Sequence, residues 1–253
     1  MNNVRMQFPV WGTVVDVDCY SQSVSAVDLN RGMDSVIAFC EAVDRDFSTY
    51  KVDSWVSRLR RGEVTITDCP ADLQSVWALC AQAKWLSDGA FDPWAVAGGF
   101  DPSGLVKGWA VDKCAEILIA AGAAHVQVNA AGDLALRGGW FDAAVEVVKP
   151  WSIGVVNPDD HLQVVKVYQI TDGAIATSGT YERGAHIYDP DNGMIAIGAK
   201  SATVVGAEGW LCDSLATAVM VAGQDCRKWF GQPELVGYRV FAVDRHAKSS
   251  WEI

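Results

Sequence analysis

The two periodicities of this 253-residue chain are segregated along it. Apolar residues at helical spacing dominate the first half, and strand-like alternations follow one another through the second. A doubly wound sheet needs strands and helices in strict alternation, so this order argues for a mixed α+β fold instead. In the first half, Phe8 to Cys19 is β-rich and alternates, so it reads as one strand. Met33, Ile37, Cys40, Val43 and Phe47 recur at helical spacing and predict a helix from about Asn30 to Phe47. Asp53 to Arg61 predicts a short helix, with Asp53 or Ser54 as its cap. Pro70, followed by Leu73, Val76, Trp77 and Cys80, predicts another to about Ser87. After the loop GAFDPWAVAGGFDPSG, Lys107 to Ala121 reads as a helix stopped by Gly122. Beyond it lie the strand-like runs HVQVNAAGDLALRG, FDAAVEVVKPWSIGVV, VVKVYQI, GAIATSG and SATVVGA. A helix from Trp210 to Val221, closed by Gly223, and a last strand, YRVFAVD, complete the chain. The expected organisation is one domain over 1–253, helix-rich over about 1–123 and strand-rich over about 124–253.

The net charge is −11, with 20 Lys and Arg against 31 Asp and Glu. The densest basic patch, Arg58, Arg60 and Arg61, is too short to grip a phosphate backbone, so no nucleic-acid partner is expected. Seven scattered cysteines show no CxxC or zinc-ribbon spacing and read as small core residues in a reducing compartment. No signal pattern opens the chain and no apolar run approaches the ~18–20 residues of a membrane span, so a cytoplasmic protein without membrane insertion is expected.

Nucleotide fingerprints by spacing, GxGxxG and GxxxxGK[ST], are absent. Polar residues concentrate instead in four segments. In Leu211-Cys212-Asp213-Ser214-Leu215-Ala216-Thr217, Asp213 and Thr217 stand one above the other on a helix face. A carboxylate and a hydroxyl one turn apart suit a hard cation such as Mg²⁺. The same pair fits a helix-start Asp favoured by the dipole and a Thr bonding back to a carbonyl. Asp101 to Asp112 runs from a small-residue loop into a helix carrying Lys107. Its first amides could hold a phosphate, or it is a surface loop with a solvated lysine. Gly173 to Arg183 ends in a hydroxyl-rich turn with Thr177 and Ser178, and His186 follows, either functional or a plain hairpin histidine. Asp46-Phe47-Ser48-Thr49-Tyr50 is a polar helix end.

Together these segments resemble the ApbE family, the FAD-dependent protein FMN transferases. The resemblance rests on GTVVDVD, DFSTY, GAFDP, GLVKGWAVD, AAGD, WSIGVVNP, ATSGTY, HIYDPDNG and CDSLATAVMVAG, in that order from Trp11 to Gly223. It implies largely antiparallel sheets flanked by helices, ApbE-like and T-fold-like, with FAD in a cleft between the two halves. It implies Mg²⁺ on Asp213, Thr217 and the carbonyl of Val106, with FAD as substrate. FAD would be split to AMP, and FMN passed to a Thr or Ser of an acceptor protein. Asp213 and His186 would be catalytic, His186 by moving a proton. Trp11, Gly12, Thr13, Ser48, Tyr50, Asp92, Lys107, Asp112, Gly132, Asp133, Thr177, Ser178 and His186 would line the flavin nucleotide site. Hydrolysis of FAD to FMN and AMP, or FAD binding without chemistry, are the alternatives, and a homodimer is left open. Three features depart from the family pattern. Trp11 replaces the usual Met, where an indole could stack on flavin. Ala131 replaces a Gly, and the stretch from Trp94 to Gly104 is shorter than usual.

Overall fold

The computed structural model describes residues 2–142, 144–180, 187–246 and 249–253. Its centre is an eight-stranded sheet in the order β1 (Asn2–Val10), β2 (Thr13–Ser21), β3 (His125–Ala130), β4 (Asp133–Arg137), β9 (Gly173–Gly179), β10 (Ser201–Gly206), β11 (Arg239–Val243) and β12 (Ser250–Glu252). Every neighbouring pair in it is antiparallel. Two hairpins, β5 (Trp140–Asp142) with β6 (Val147–Lys149) and β7 (Trp151–Asn157) with β8 (Asp160–Ile170), leave the chain between β4 and β9.

Alternation along the central strands separates two cores. On one face Ala174 and Ala176 of β9, Val204 of β10 and Val240 of β11 pack against α3 (Ala71–Leu86), α4 (Ser103–Ala120) and α5 (Gly209–Ala222). Val15, Val17, Val126 and Val128 extend that face under α1 (Ala26–Phe47) and α4. On the other face Leu134, Leu136, Ile175, Val205 and Phe241 meet Trp151, Val155, Tyr168 and Ile170 of the β7–β8 hairpin. Each such fully buried aliphatic side chain is worth ~1.5–3 kcal/mol.

Helices α1 and α4 begin earlier than periodicity indicates. Helix α1 starts at Ala26 because the Ser25 side chain accepts the Asp28 N–H at its N-cap. Ser54, not Asp53, caps α2 (Trp55–Arg60), its hydroxyl accepting the Ser57 N–H at 2.9 Å. Helix α4 starts at Ser103 and is kinked at Gly104, so the expected small-residue loop is its first turn.

The expected strand from Phe8 to Cys19 is two strands. Trp11 (φ 55°) and Gly12 (φ 71°) form a two-residue turn between Val10 and Thr13. Positive φ at both positions matches the twist of a hairpin, but the first position is normally Asn, Asp or Gly. Trp11 is held there by its indole, whose Nε1–H donates to the Cys40 carbonyl at 3.0 Å while the ring packs between the two helix-side cores. Ala131 (φ 50°) and Gly132 (φ 92°) repeat the geometry between β3 and β4. Ala131 has no such anchor, so Ala131→Gly is expected to stabilise the fold by about 1 kcal/mol, a rise in Tm of ~2–4 °C by calorimetry.

All seven cysteines are buried free thiols. Burial pushes Cys19 up to about 11 and Cys226 up to about 12. A thiolate reagent is therefore expected to find no fast-reacting group in the native protein and seven after unfolding.

Candidate functional site

The register places one set of predicted residues at one end of the sheet. Val15 pairs with Ala130, and Ala130 with Asp133, so the Trp11–Gly12 and Ala131–Gly132 turns stand side by side. Leu134 pairs with Ile175, and Thr177 and Ser178 pair with Thr203 and Ala202. Thr13, Gly132, Asp133, Thr177 and Ser178 therefore share this rim.

Two helices close over it. Lys107 of α4 forms an ion pair with Asp133 at 2.8 Å, the carboxylate side chain being only 2% exposed. This pair ties the start of α4 to the β3–β4 turn. Helix α5 crosses α4 backbone to backbone: a methyl on Gly108 would overlap the Gly209 carbonyl oxygen, and one on Gly209 would overlap the Gly108 carbonyl oxygen. Asp213 and Thr217 face α4 at successive glycines. Gly108 N–H donates to Asp213 Oδ2 at 3.1 Å, and a methyl on Gly104 would lie 3.1 Å from Thr217 Oγ1. Val106 lies between these two contacts. Ser178 Oγ stands 3.3 Å from Thr217 Oγ1, linking β9 to α5, and Thr177 Oγ1 stands 2.8 Å from Thr203 Oγ1.

The predicted residues thus divide. Lys107, Gly132, Asp133, Ser178, Asp213 and Thr217 are brought together, with Val106 beside them. Asp112 is buried with a partner on each oxygen: its Oδ2 accepts the Gly209 N–H at 2.5 Å and its Oδ1 pairs with Arg137 at 3.0 Å. Burial raises its pKa above the ordinary carboxylate value, and the Gly209 N–H and Arg137 oppose that rise. Ser48 ends α1, its Oγ accepting the Tyr50 and Lys51 N–H groups, while the Tyr50 ring is 96% exposed. Phe47 packs on Trp109 at 5.5 Å between ring centroids, which sets this turn beside α4. Asp92 pairs with Lys84 at 2.6 Å and accepts the Trp94 N–H at 2.9 Å. The stretch beyond it is a built segment: Trp94 packs with Trp77 and Phe100, and Arg60 donates to the Ala97 and Gly98 carbonyls. His186 lies outside the described residues.

The oxygen atoms gathered here fit a hard cation. Asp213, Thr217 and Ser178 supply a carboxylate and two hydroxyls, without nitrogen or sulfur, which is the donor class Mg²⁺ prefers. Among the described residues no group of three or more His, Cys, Asp or Glu could hold a metal, so a cation here would rest on one carboxylate, hydroxyls and backbone carbonyls. Arg137 was not singled out by the sequence. A lone Arg at the end of a strand carries no local signal, and only the fold sets it against Asp112.

Over 135 residues, 49% of this chain, the sequence is 34% identical to an FAD:protein FMN transferase of Vibrio cholerae, covering 39% of that protein. A second FAD:protein FMN transferase, from Rhodobacter capsulatus, is 31% identical over 133 residues, 49% of this chain and 24% of that protein. The matched region is thus well under half the length of these curated relatives. Two solved structures share the fold along the whole chain. The ApbE protein of Thermotoga maritima superposes with a TM-score of 0.82 at 23% identity, covering 99% of this chain and 96% of that one. Flavin transferase ApbE from Vibrio cholerae gives 0.82 at 22% identity, covering 100% and 96%. The ApbE family matches residues 11–98 and 94–238, a span that takes in both rim turns and the α4–α5 crossing. By that match, the chain belongs to the ApbE family.

Proposed function

We propose that this protein is an Mg²⁺-dependent FAD:protein FMN transferase, acting as one domain because its central sheet draws strands from both halves of the chain. FAD would be split at its pyrophosphate, AMP released, and FMN joined by a phosphoester to a Thr or Ser of an acceptor protein. One observation carries the reading. The Gly108 N–H to Asp213 bond joins the Lys107-Gly108 segment and the Asp213–Thr217 helix, 105 residues apart, into a single site.

Phosphoryl transfer asks for position and charge neutralisation more than for covalent help. Asp213, Thr217 and the Val106 carbonyl would hold Mg²⁺, which supplies charge neutralisation at the phosphates when bound. Lys107, kept in place by Asp133, offers a positive group at the start of α4. Ser178 would supply a hydroxyl for phosphate or ribose oxygens on the helix side of the rim, and Thr177 one on the opposite face of β9. His186 would take the acceptor hydroxyl's proton, since a neutral imidazole suits that role near pH 7. The FAD cleft would lie between the rim turns and α4, with Trp11, Gly12, Thr13, Ser48, Tyr50 and Asp92 at its edges. No helix among the described residues is long and apolar enough to cross a membrane.

The test is incubation with FAD and Mg²⁺, with and without a small FMN-accepting domain. AMP release with an FMN-sized mass gain on the acceptor is expected. AMP with an equal amount of free FMN, even with acceptor present, would assign a pyrophosphatase instead. Bound FAD without AMP would leave only a flavin-binding protein.

A further inference from the structure

We infer that Arg137 is a positioning residue for the cation-binding end of α5, acting through Asp112. This inference rests on the reading that Asp213 and Thr217 hold the metal.

Helix α5 has no side-chain cap of its own, Glu208 making no such bond. Its start is held by the rest of the protein. The Glu208 N–H donates to the Tyr238 hydroxyl at 3.2 Å, and the Gly209 N–H donates to Asp112 Oδ2 at 2.5 Å. Asp112 is in turn held by Arg137, whose Nη2 donates to Oδ1 at 3.0 Å. The other arm of the fork, Nη1, donates to the Leu136 and Gly173 carbonyls, each at 2.9 Å. The guanidinium is therefore fixed to β4 and β9 on one side and to a carboxylate of α4 on the other. A planar fork can do this and an ammonium cannot.

The contacts close a ring between the two helices. Asp112 of α4 accepts from Gly209 of α5. One turn along α5, Asp213 accepts from Gly108 of α4, which lies one turn before Asp112. Each helix places a carboxylate on an amide of the other, and the glycines let the backbones touch. Moving Asp112 therefore shifts the start of α5 and, one turn later, the carboxylate proposed to meet the cation. Outer groups that orient a metal ligand typically change metal affinity by 10–100-fold when removed.

Arg137 is also reachable from solvent. It lines an open surface pocket with Glu116, Ile119, Ala124, Gly138 and Asp172, away from the rim. Arg137→Ala would open this pocket to an added guanidinium ion, which can restore the missing fork.

The experiment measures Mn²⁺ binding by electron paramagnetic resonance, with amide hydrogen exchange over residues 208–213, on wild type and Arg137→Ala. A loss of Mn²⁺ affinity of ~10-fold, faster exchange at the start of α5, and recovery of both by millimolar guanidinium but not by ammonium are expected. Arg137→Lys serves if the alanine variant does not fold, with a smaller loss in the same direction. Unchanged Mn²⁺ affinity in a folded variant, or a loss that guanidinium does not recover, overturns the inference. Wild type that binds no Mn²⁺, or binds it equally well in Asp213→Asn, sinks instead the metal assignment on which the inference rests.

Discussion

Asp213→Ala is expected to remove metal-dependent AMP release almost entirely, by roughly a thousandfold. Charge stabilisation by a bound cation is worth several kcal/mol in such a transition state, and each ~1.4 kcal/mol is tenfold in rate. The alanine variant also leaves the buried Gly108 N–H without its acceptor, at a cost of ~1–3 kcal/mol in stability. Asp213→Asn separates the two effects. Its side-chain carbonyl still receives Gly108 N–H, so the α4–α5 crossing should persist and Tm should change little. The lost charge should still remove Mn²⁺ binding and AMP release. An asparagine variant that turns over FAD at the wild-type rate would show that Asp213 holds the helices together and nothing more.

Gly108→Ala tests the crossing from its other side, and here the sign decides. In an ordinary helix interior, alanine is better than glycine by ~1 kcal/mol. At Gly108 the added methyl would overlap the Gly209 carbonyl oxygen and lie 2.8 Å from Asp213 Cβ. Neither neighbour is the far end of a flexible side chain, so the helices must part. Overpacking of this kind costs ~1–3 kcal/mol, which outweighs the gain in propensity. With the overlap falling on backbone, the cost lies at the upper end of that range and leaves a net loss of ~2 kcal/mol, so a fall in Tm of ~4–8 °C is expected, together with weaker Mn²⁺ binding because Asp213 moves with α5. A rise in Tm would mean that the two backbones are not in contact in solution.

Much of this was legible in the sequence, for identifiable reasons. Helices α1 and α3 keep an apolar stripe at helical spacing, which needs no tertiary information. The Asp213–Thr217 pair is visible because i and i+4 share a face. The β1–β2 hairpin was hidden because its turn carries a Trp where a turn signal would be Asn or Gly, and the alternation runs through it unbroken. The first turn of α4 was hidden because Ser103 and Gly104 are poor helix formers, retained where Gly104 meets Thr217 and Phe91. Asp112 stood in a motif that suggested ligand contact, and the fold adds that its oxygens accept from Gly209 and Arg137. A sequence motif can mark a position without saying whether the side chain faces a substrate or another helix.

The strand order has a consequence for how relatives of this chain can diverge. In the eight-stranded sheet each neighbour is the next of its strands along the chain, and no connection has to pass between paired strands. The segment between α3 and α4 lies outside every ladder. Lengthening or trimming it would leave each register untouched, and changing the β5–β8 insertion would leave the registers of the eight-stranded sheet untouched. Lineages could therefore reshape what stands over the rim by insertion and deletion alone, while the strands and the glycine crossing beneath stay in register.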